Sequence, residues 1–381
     1  VMLFLTNEDV QQVLDMQECV RVHERGEVEL ALGELAARPR FDTITTTRTP
    51  GHFYRWGTVE ATSKSLQSHA IRIKSDVIYY ERSGEMIVEE KFASKPGLFC
   101  GLVFLFDTNS GEPLALMQDG HLQQMRVGAK NALGVKYLAR PGSRTIGMLG
   151  SGGQARSHLL AYAAVRPIER CNVYSPNPKH REAYAHDMSK TLGIDVVPVR
   201  SVQEAVAGAD IVACCTNSMI PVLTGDMVEP GVHLTAVSGE WTDEVPEMVD
   251  VAARSAETHI FHGAPVDHSL GRGGAAIVYA AANAAELDEL VALSGQRYAS
   301  EQPKTERRRR KTRQVALVDL INGTAEGRKN DDEVSASTGI GSGGTSGLSF
   351  VVVGQLVYQK ARESGLGTEL PTEMFLQDIR N

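Results

Sequence analysis

Six consecutive residues have the clearest chemical capability: Gly150, Ser151, Gly152, Gly153, Gln154 and Ala155. They spell G-x-G-x-x-A between a short apolar run, Thr145 to Leu149, and a Leu- and Ala-rich stretch, Ser157 to Val165. A strand, a glycine turn and a helix in that order suit a dinucleotide. Gly150 permits the tight turn, and Gly152 lets a pyrophosphate approach the backbone. Ala155 lets helix and strand pack closely, and the helix N-terminus offers unbonded N–H groups to an anion. A second strand, Arg170 to Tyr174, follows at the interval such a unit needs.

The end of that second strand bears on the cofactor. An NAD site usually carries Asp or Glu there for the ribose hydroxyls. This chain has no acid between Tyr174 and Arg181, and Ser175, Asn177, Lys179 and Arg181 can hold a 2′-phosphate. A solvated basic loop would carry the same residues, but NADP(H) is favoured over NAD(H). Cys215 and Thr216, at the end of a fourth strand, and Ser238 and Gly239, at the end of a fifth, are also assigned to the cofactor side.

The elements that must position these groups follow from the chain in order. With 381 residues, 42% hydrophobic and 23% charged, the composition is that of a soluble two-domain enzyme. The net charge of −8 does not suggest a nucleic-acid surface. Five cysteines without metal-ligand spacing read as reduced thiols in a cytoplasmic protein, and neither a signal peptide nor a membrane span is expected. Thr6 reads as a helix N-cap with Asp9 in the first turn, and Val28 to Ala37 as a second helix. Strands are expected at Phe53 to Val59 and His69 to Tyr80. Glu89 to Lys91 and Gly101 to Asp107 read as a further pair, with a turn at Thr108 to Gly111. A long helix over Gly120 to Ala139 leads into alternating strands and helices, the pattern of a doubly wound parallel sheet. Val315 to Ile321 reads as helical, Gly339 to Gly344 as a loop, and Leu348 to Ala361 as an apolar helix that returns to the first domain. His259, His262 and His268 match no metal-ligand spacing, and the basic run from Arg307 to Arg313 reads as a solvated face.

Several separate motifs, in this order, resemble the ornithine cyclodeaminase/mu-crystallin family. They are Gly101 to Met117, Met125 and Arg126, Ala132 to Arg140, Ile146 to Ala155, Gly327 and Arg328 before Asp331, and Tyr358 to Gly367. The resemblance is absent over residues 258–314, which read as an insertion. It implies a homodimer with a Rossmann NAD(P) domain, residues 123–344, and an α+β substrate-binding and dimerisation domain. The latter covers residues 1–122 and is completed by residues 345–381. It also implies hydride transfer at the Cα of an amino acid.

By similarity, substrate-carboxylate donors map to Arg40, to the strand carrying Arg72 and Lys74, and to Arg126. Strict register puts Arg72 at the family's lysine, and Lys74 faces the same side of the strand. Either residue can be the functional cation, with Arg48 and Arg55 as spare candidates. Glu240 stands where cyclodeaminases carry an acid/base Asp, with Asp243 close behind. Lys74 and Glu240 are therefore the candidate proton donors. These two departures favour reduction of an imino acid or ketimine over ornithine cyclisation with resident NAD. A non-catalytic ligand-binding role is the remaining alternative.

Overall fold

Strict alternation builds the first of two sheets. Along Ser68–Ser83, residues Ser68, Ala70, Arg72, Lys74, Asp76 and Ile78 are buried, while the residues between them are half-exposed. Phe53–Ser63 alternates in the same way. The computed structural model describes residues 1–83, 86–237, 241–256, 269–270, 277–281, 288–289, 292–293, 312–339 and 345–379. In the first sheet, Arg40–Thr46, Phe53–Ser63, Ser68–Ser83, Cys100–Asp107 and Pro113–Gln118 are antiparallel neighbours. Met2–Leu5 then adds in parallel, and Thr368–Leu370 closes that edge. Helices Met16–Ala31 and Gly347–Ser364 cover the buried face, and Val20, Leu30, Leu348, Val351 and Val353 join its core. The C-terminal helix therefore spends its apolar surface inside its own chain.

The second sheet is parallel throughout. Thr145–Leu149 lies at its centre, with Arg170–Tyr174 and Asp195–Pro198 on one side. On the other side stand Ile211–Cys214, His233–Ala236, Ser335–Gly339, Val251–Arg254 and Arg313–Ala316. The strand order reverses between Thr145–Leu149 and Ile211–Cys214. A ligand crevice opens at such a switch point in doubly wound folds.

Several expectations are corrected. The second helix is Met16–Ala31, because Asp15 caps its start by accepting from the Glu18 N–H. Gly33, at φ 73°, turns the chain out of the helix, and Leu35–Ala37 is a strand. Met86–Phe92 and Cys100–Asp107 do not pair with each other. Each pairs with a different half of Ser68–Ser83. The stretch read as one helix from Val315 is a strand, Arg313–Ala316, followed by a short helix, Leu317–Ile321. Strands Val251–Arg254 and Ser335–Gly339 carry too little alternation or length to stand out in the sequence. Of the expected insertion, Ile277–Ala281 pairs in parallel with Arg40–Thr46. His259, His262, His268 and residues 340–344 lie outside the described residues. Among those described, no cluster has metal-site geometry, and no helix is long and apolar enough to cross a membrane. None of the five cysteines forms a disulfide, and only Cys100 is exposed.

Three buried histidines bear on stability. The His23 ring bonds the Cys19 carbonyl at 2.7 Å, His158 bonds the Gln154 carbonyl at 2.6 Å, and His233 bonds the hydroxyls of Ser335 and Ser337. Burial lowers His23 to about 3, His158 to about 4 and His233 well below its ordinary value. Unfolded histidine titrates near ~6.5, so below that pH the unfolded chain binds protons that the folded chain does not. Stability should therefore fall as pH drops from about 6.5 toward about 4, by up to ~1.4 kcal/mol per pH unit for each histidine. Urea titrations at about pH 7 and about pH 5 should show a lower midpoint in acid. Equal midpoints would contradict the prediction.

Candidate active site

The register of the first sheet assembles charges in rows. Asp42 lies opposite Gly57, and Gly57 opposite Lys74. In the next row Ile44, Arg55 and Asp76 stand side by side, and on the other flank Arg72 lies opposite Val59 and Val103. All share the buried face. A side chain at Gly57 would collide with the Asp42 carboxylate and the Lys74 stem, so only glycine lets that pair meet. The Lys74 ammonium lies 3.3 Å from Asp42. Arg40 grips the same carboxylate with two bonds of 2.8 and 2.5 Å. Arg55 holds Asp76 through two bonds of 3.0 Å.

This packing of charge moves the proton affinities. Burial alone would raise the Asp42 carboxyl, but Arg40 and Lys74 overcome it and hold it down at about 2. Burial first, then Arg40 and Arg55, pull Lys74 well below the usual lysine value against the opposing pull of Asp42 and Asp76. A lysine so placed gives up its proton more readily than a solvated one.

Next to this network stands a second group. The buried Arg72 donates to Asp119 at 2.6 Å, and Asp119 caps the approach to helix Gly120–Leu138. Arg126, two turns along that helix, is densely surrounded by protein yet stays partly solvent-accessible. Both arms of its fork, at 3.0 and 2.9 Å, converge on one amide oxygen of Gln123. Among the described residues Arg126 has no carboxylate within salt-bridge distance. Burial and the nearby Arg72 charge lower it to about 9, so it stays cationic at neutral pH.

The glycine turn has the geometry a dinucleotide needs. Gly150 has φ 114°, and any side chain there would strike the Cys215 carbonyl across the switch point. Its N–H donates to the Tyr174 carbonyl at 2.8 Å, tying the turn to the second strand. Helix Gly153–Val165 starts at Gly152 with no side-chain cap, and open space lies in front of Gly152. The unbonded N–H groups of Gly153, Gln154 and Ala155 can thus receive a pyrophosphate. Ser151 donates to Ser175 at 3.0 Å. Asn177 caps helix Pro178–Leu192 by accepting from the Lys179 N–H, and Arg181 donates to the Ser175 carbonyl at 2.9 Å.

Of the residues singled out in the sequence, Arg40, Arg72, Lys74 and Arg126 come together, close enough to shift one another's proton affinity. Gly150 to Ala155, Ser175, Asn177, Lys179 and Arg181 lie along one edge of the crevice, with Cys215 and Thr216 across from Gly150. Ser238, Gly239 and Glu240 lie outside the described residues. Asp243 is exposed, Arg48 is exposed in a turn, and Arg55 is committed to Asp76. The sequence reading missed Asp42, Asp76 and Asp119, the acids that hold the cations. The signal was present, since Arg40 and Asp42 share the even face of one strand, and Arg72, Lys74 and Asp76 that of another.

A parallel sheet with an open glycine turn at its switch point, beside a buried cluster of paired cations, is the arrangement of a dinucleotide-dependent enzyme. The model of the ornithine cyclodeaminase/mu-crystallin family matches residues 89–364. The chain belongs to that family and is one of its NAD(P)-dependent oxidoreductases. It is 28% identical over 270 residues to a Delta(1)-pyrroline-2-carboxylate reductase of Bacillus cereus, covering 71% of this chain and 74% of that protein. An ornithine cyclodeaminase of Agrobacterium fabrum is 31% identical over 153 residues, 40% of this chain and 43% of that one. Among solved structures, the Thermococcus litoralis Delta(1)-pyrroline-2-carboxylate reductase in complex with NADH and L-proline superposes with a TM-score of 0.70. It is 26% identical, covering 97% of this chain and all of that one.

Proposed function

We propose that this chain reduces the C=N bond of a small imino acid whose carboxylate is anchored by Arg126, with Arg72 and Arg40 completing the cationic wall. The observation that carries this reading is the Arg126 fork. It is a largely desolvated guanidinium whose two donors meet only a neutral amide oxygen, the arrangement a carboxylate would improve. The reductases from Bacillus cereus and Thermococcus litoralis support a small cyclic imino acid as the first substrate class to test.

A bound reduced nicotinamide supplies the hydride that goes to the imine carbon. The chain's residues do the rest. The arginines fix the carboxylate and so orient the adjacent carbon. Lys74, whose ammonium burial and the neighbouring arginines make more acidic, gives a proton to the nitrogen and is later reprotonated. One hydride and one proton turn C=N into CH–NH and leave the cofactor oxidised. Glu240 is the alternative donor. Cyclodeaminase chemistry is the second reading, favoured by the Agrobacterium relative over part of the chain. Arg72 in place of the family's lysine and Glu240 in place of its aspartate weigh against it.

The finer assignments belong to the same reading. The cofactor is NADP(H), because the loop from Ser175 to Arg181 holds no acid and keeps the exposed Lys179 without a carboxylate partner among the described residues. The substrate unit comprises residues 1–122 with 345–381, and the dinucleotide unit residues 123–344 with an insertion at about 258–314, of which Ile277–Ala281 adds to the first sheet. The assembly is a homodimer built on the open face of the first sheet, where Ile71, Ile73, Leu102, Phe104 and Phe106 are only half-buried.

Three measurements check this. Arg126→Ala should lower kcat/KM by roughly thirty- to a thousand-fold, the loss of ~2–4 kcal/mol for a bidentate bond in a closed cleft, with cofactor affinity nearly unchanged. Run beside it, Lys74→Met should lower kcat by roughly a hundred-fold or more with little change in KM. Near-normal kinetics in either variant would remove that residue from the mechanism. Fluorescence titration should give a smaller Kd for NADP(H) than for NAD(H), and the reverse order would reassign the Ser175–Arg181 loop. Light scattering at micromolar concentration should give twice the chain mass, whereas a monomer mass would refute the dimer.

A further inference from the structure

Phe350 lies fully buried on the C-terminal helix, inside a line of alternating cations and rings. The Arg126 guanidinium carbon is 4.7 Å from its ring centre, and that of Arg72 is 5.9 Å away. Arg72 is also 5.8 Å from the Phe99 ring, and the Lys91 ammonium is 5.3 Å from that same ring. Lys91, Phe99, Arg72, Phe350 and Arg126 thus alternate from an exposed loop to the interior.

The Arg72 charge works against a charged Arg126, and of the two only Arg72 has a carboxylate partner among the described residues. Gln123 satisfies two donors of Arg126 but brings no charge. The negative face of an aromatic ring supplies an attraction that needs no anion, and it is strongest where water is excluded. The ring is fixed from behind. Gly347, one turn earlier, packs so closely on the Glu60 carbonyl that any side chain there would clash, which seats the helix tightly on the strand.

We propose that Phe350 is a positioning residue of the carboxylate clamp, its ring holding the Arg72 and Arg126 guanidinium groups in place before the substrate arrives. The inference rests on the clamp reading. It implies that ring electrostatics at this position tune substrate affinity rather than the chemical step. Preorganised donors lower the cost of ordering on binding, so the effect falls on KM.

The test replaces Phe350 with mono-, di-, tri- and pentafluorophenylalanine, which weaken the ring's negative face in steps while nearly keeping its shape. Pyrroline-2-carboxylate is the substrate. KM should rise in order along the series, reaching roughly ten- to thirty-fold for the pentafluoro ring, the value of a desolvated cation–π contact, with kcat nearly constant. Melting temperatures followed in parallel separate this from loss of packing. A flat KM, or a KM that follows melting temperature rather than fluorine number, would overturn the inference. Arg126→Ala in the same assay separates the two claims. If it raises KM while the fluorinated series is flat, only the role of Phe350 fails. If it leaves KM unchanged, or the unaltered protein does not turn over pyrroline-2-carboxylate, the clamp reading beneath it fails.

Discussion

A guanidinium densely surrounded by protein and given no counter-ion is costly, and among the described residues the partly accessible Arg126 is such a group. A buried charge is tolerated when hydrogen bonds and nearby opposite charge offset its desolvation, and removing one partner of a pair leaves the other exposed to that cost. Here the offsets come from three directions: the Gln123 amide on its own helix, the Phe350 ring on the C-terminal helix, and Asp119 acting across Arg72. Two of them, Gln123 and Asp119, come from the start of one helix, and the third from the far end of the chain. The C-terminal helix must therefore return over the first sheet, and helix Gly120–Leu138 must bridge the two sheets, for the arrangement to exist at all.

The same logic runs along the sheet. Strand alternation forces Arg72, Lys74 and Asp76 onto one buried face, where each cation needs an acid within reach. Asp42, Asp76 and Asp119 meet that need. One carboxylate, Asp42, thus ties both Arg40 and Lys74 together.

How much of this was legible in the sequence depended on whether a signal was local. The glycine turn was, because Gly150, Gly152 and Ala155 are spaced by the turn itself, and the flanking strand and helix are contiguous. The same-face relation of Arg72 and Lys74 followed from a period of two. The acids were not legible as partners, since Asp42 meets Lys74 only through the register of three strands with Gly57 between them. Phe350 carried no signal either, because a phenylalanine in an apolar helix reads as core until the arginines beside it are seen. Residues Val315 to Ile321 misled, because a parallel strand that runs into a helix gives one apolar stretch without a change of period.

The chain is similar to both reductases and cyclodeaminases, and the two differ in what happens to the cofactor. A reductase consumes one reduced nicotinamide per substrate, whereas a cyclodeaminase returns its resident cofactor unchanged and releases ammonia. The direct test follows reduced-nicotinamide absorbance while pyrroline-2-carboxylate, and separately ornithine, is added to the purified protein. The account predicts one equivalent of cofactor oxidised per equivalent of imine, and no ammonia from ornithine. Ammonia released from ornithine at constant absorbance, with the imine left untouched, would contradict it.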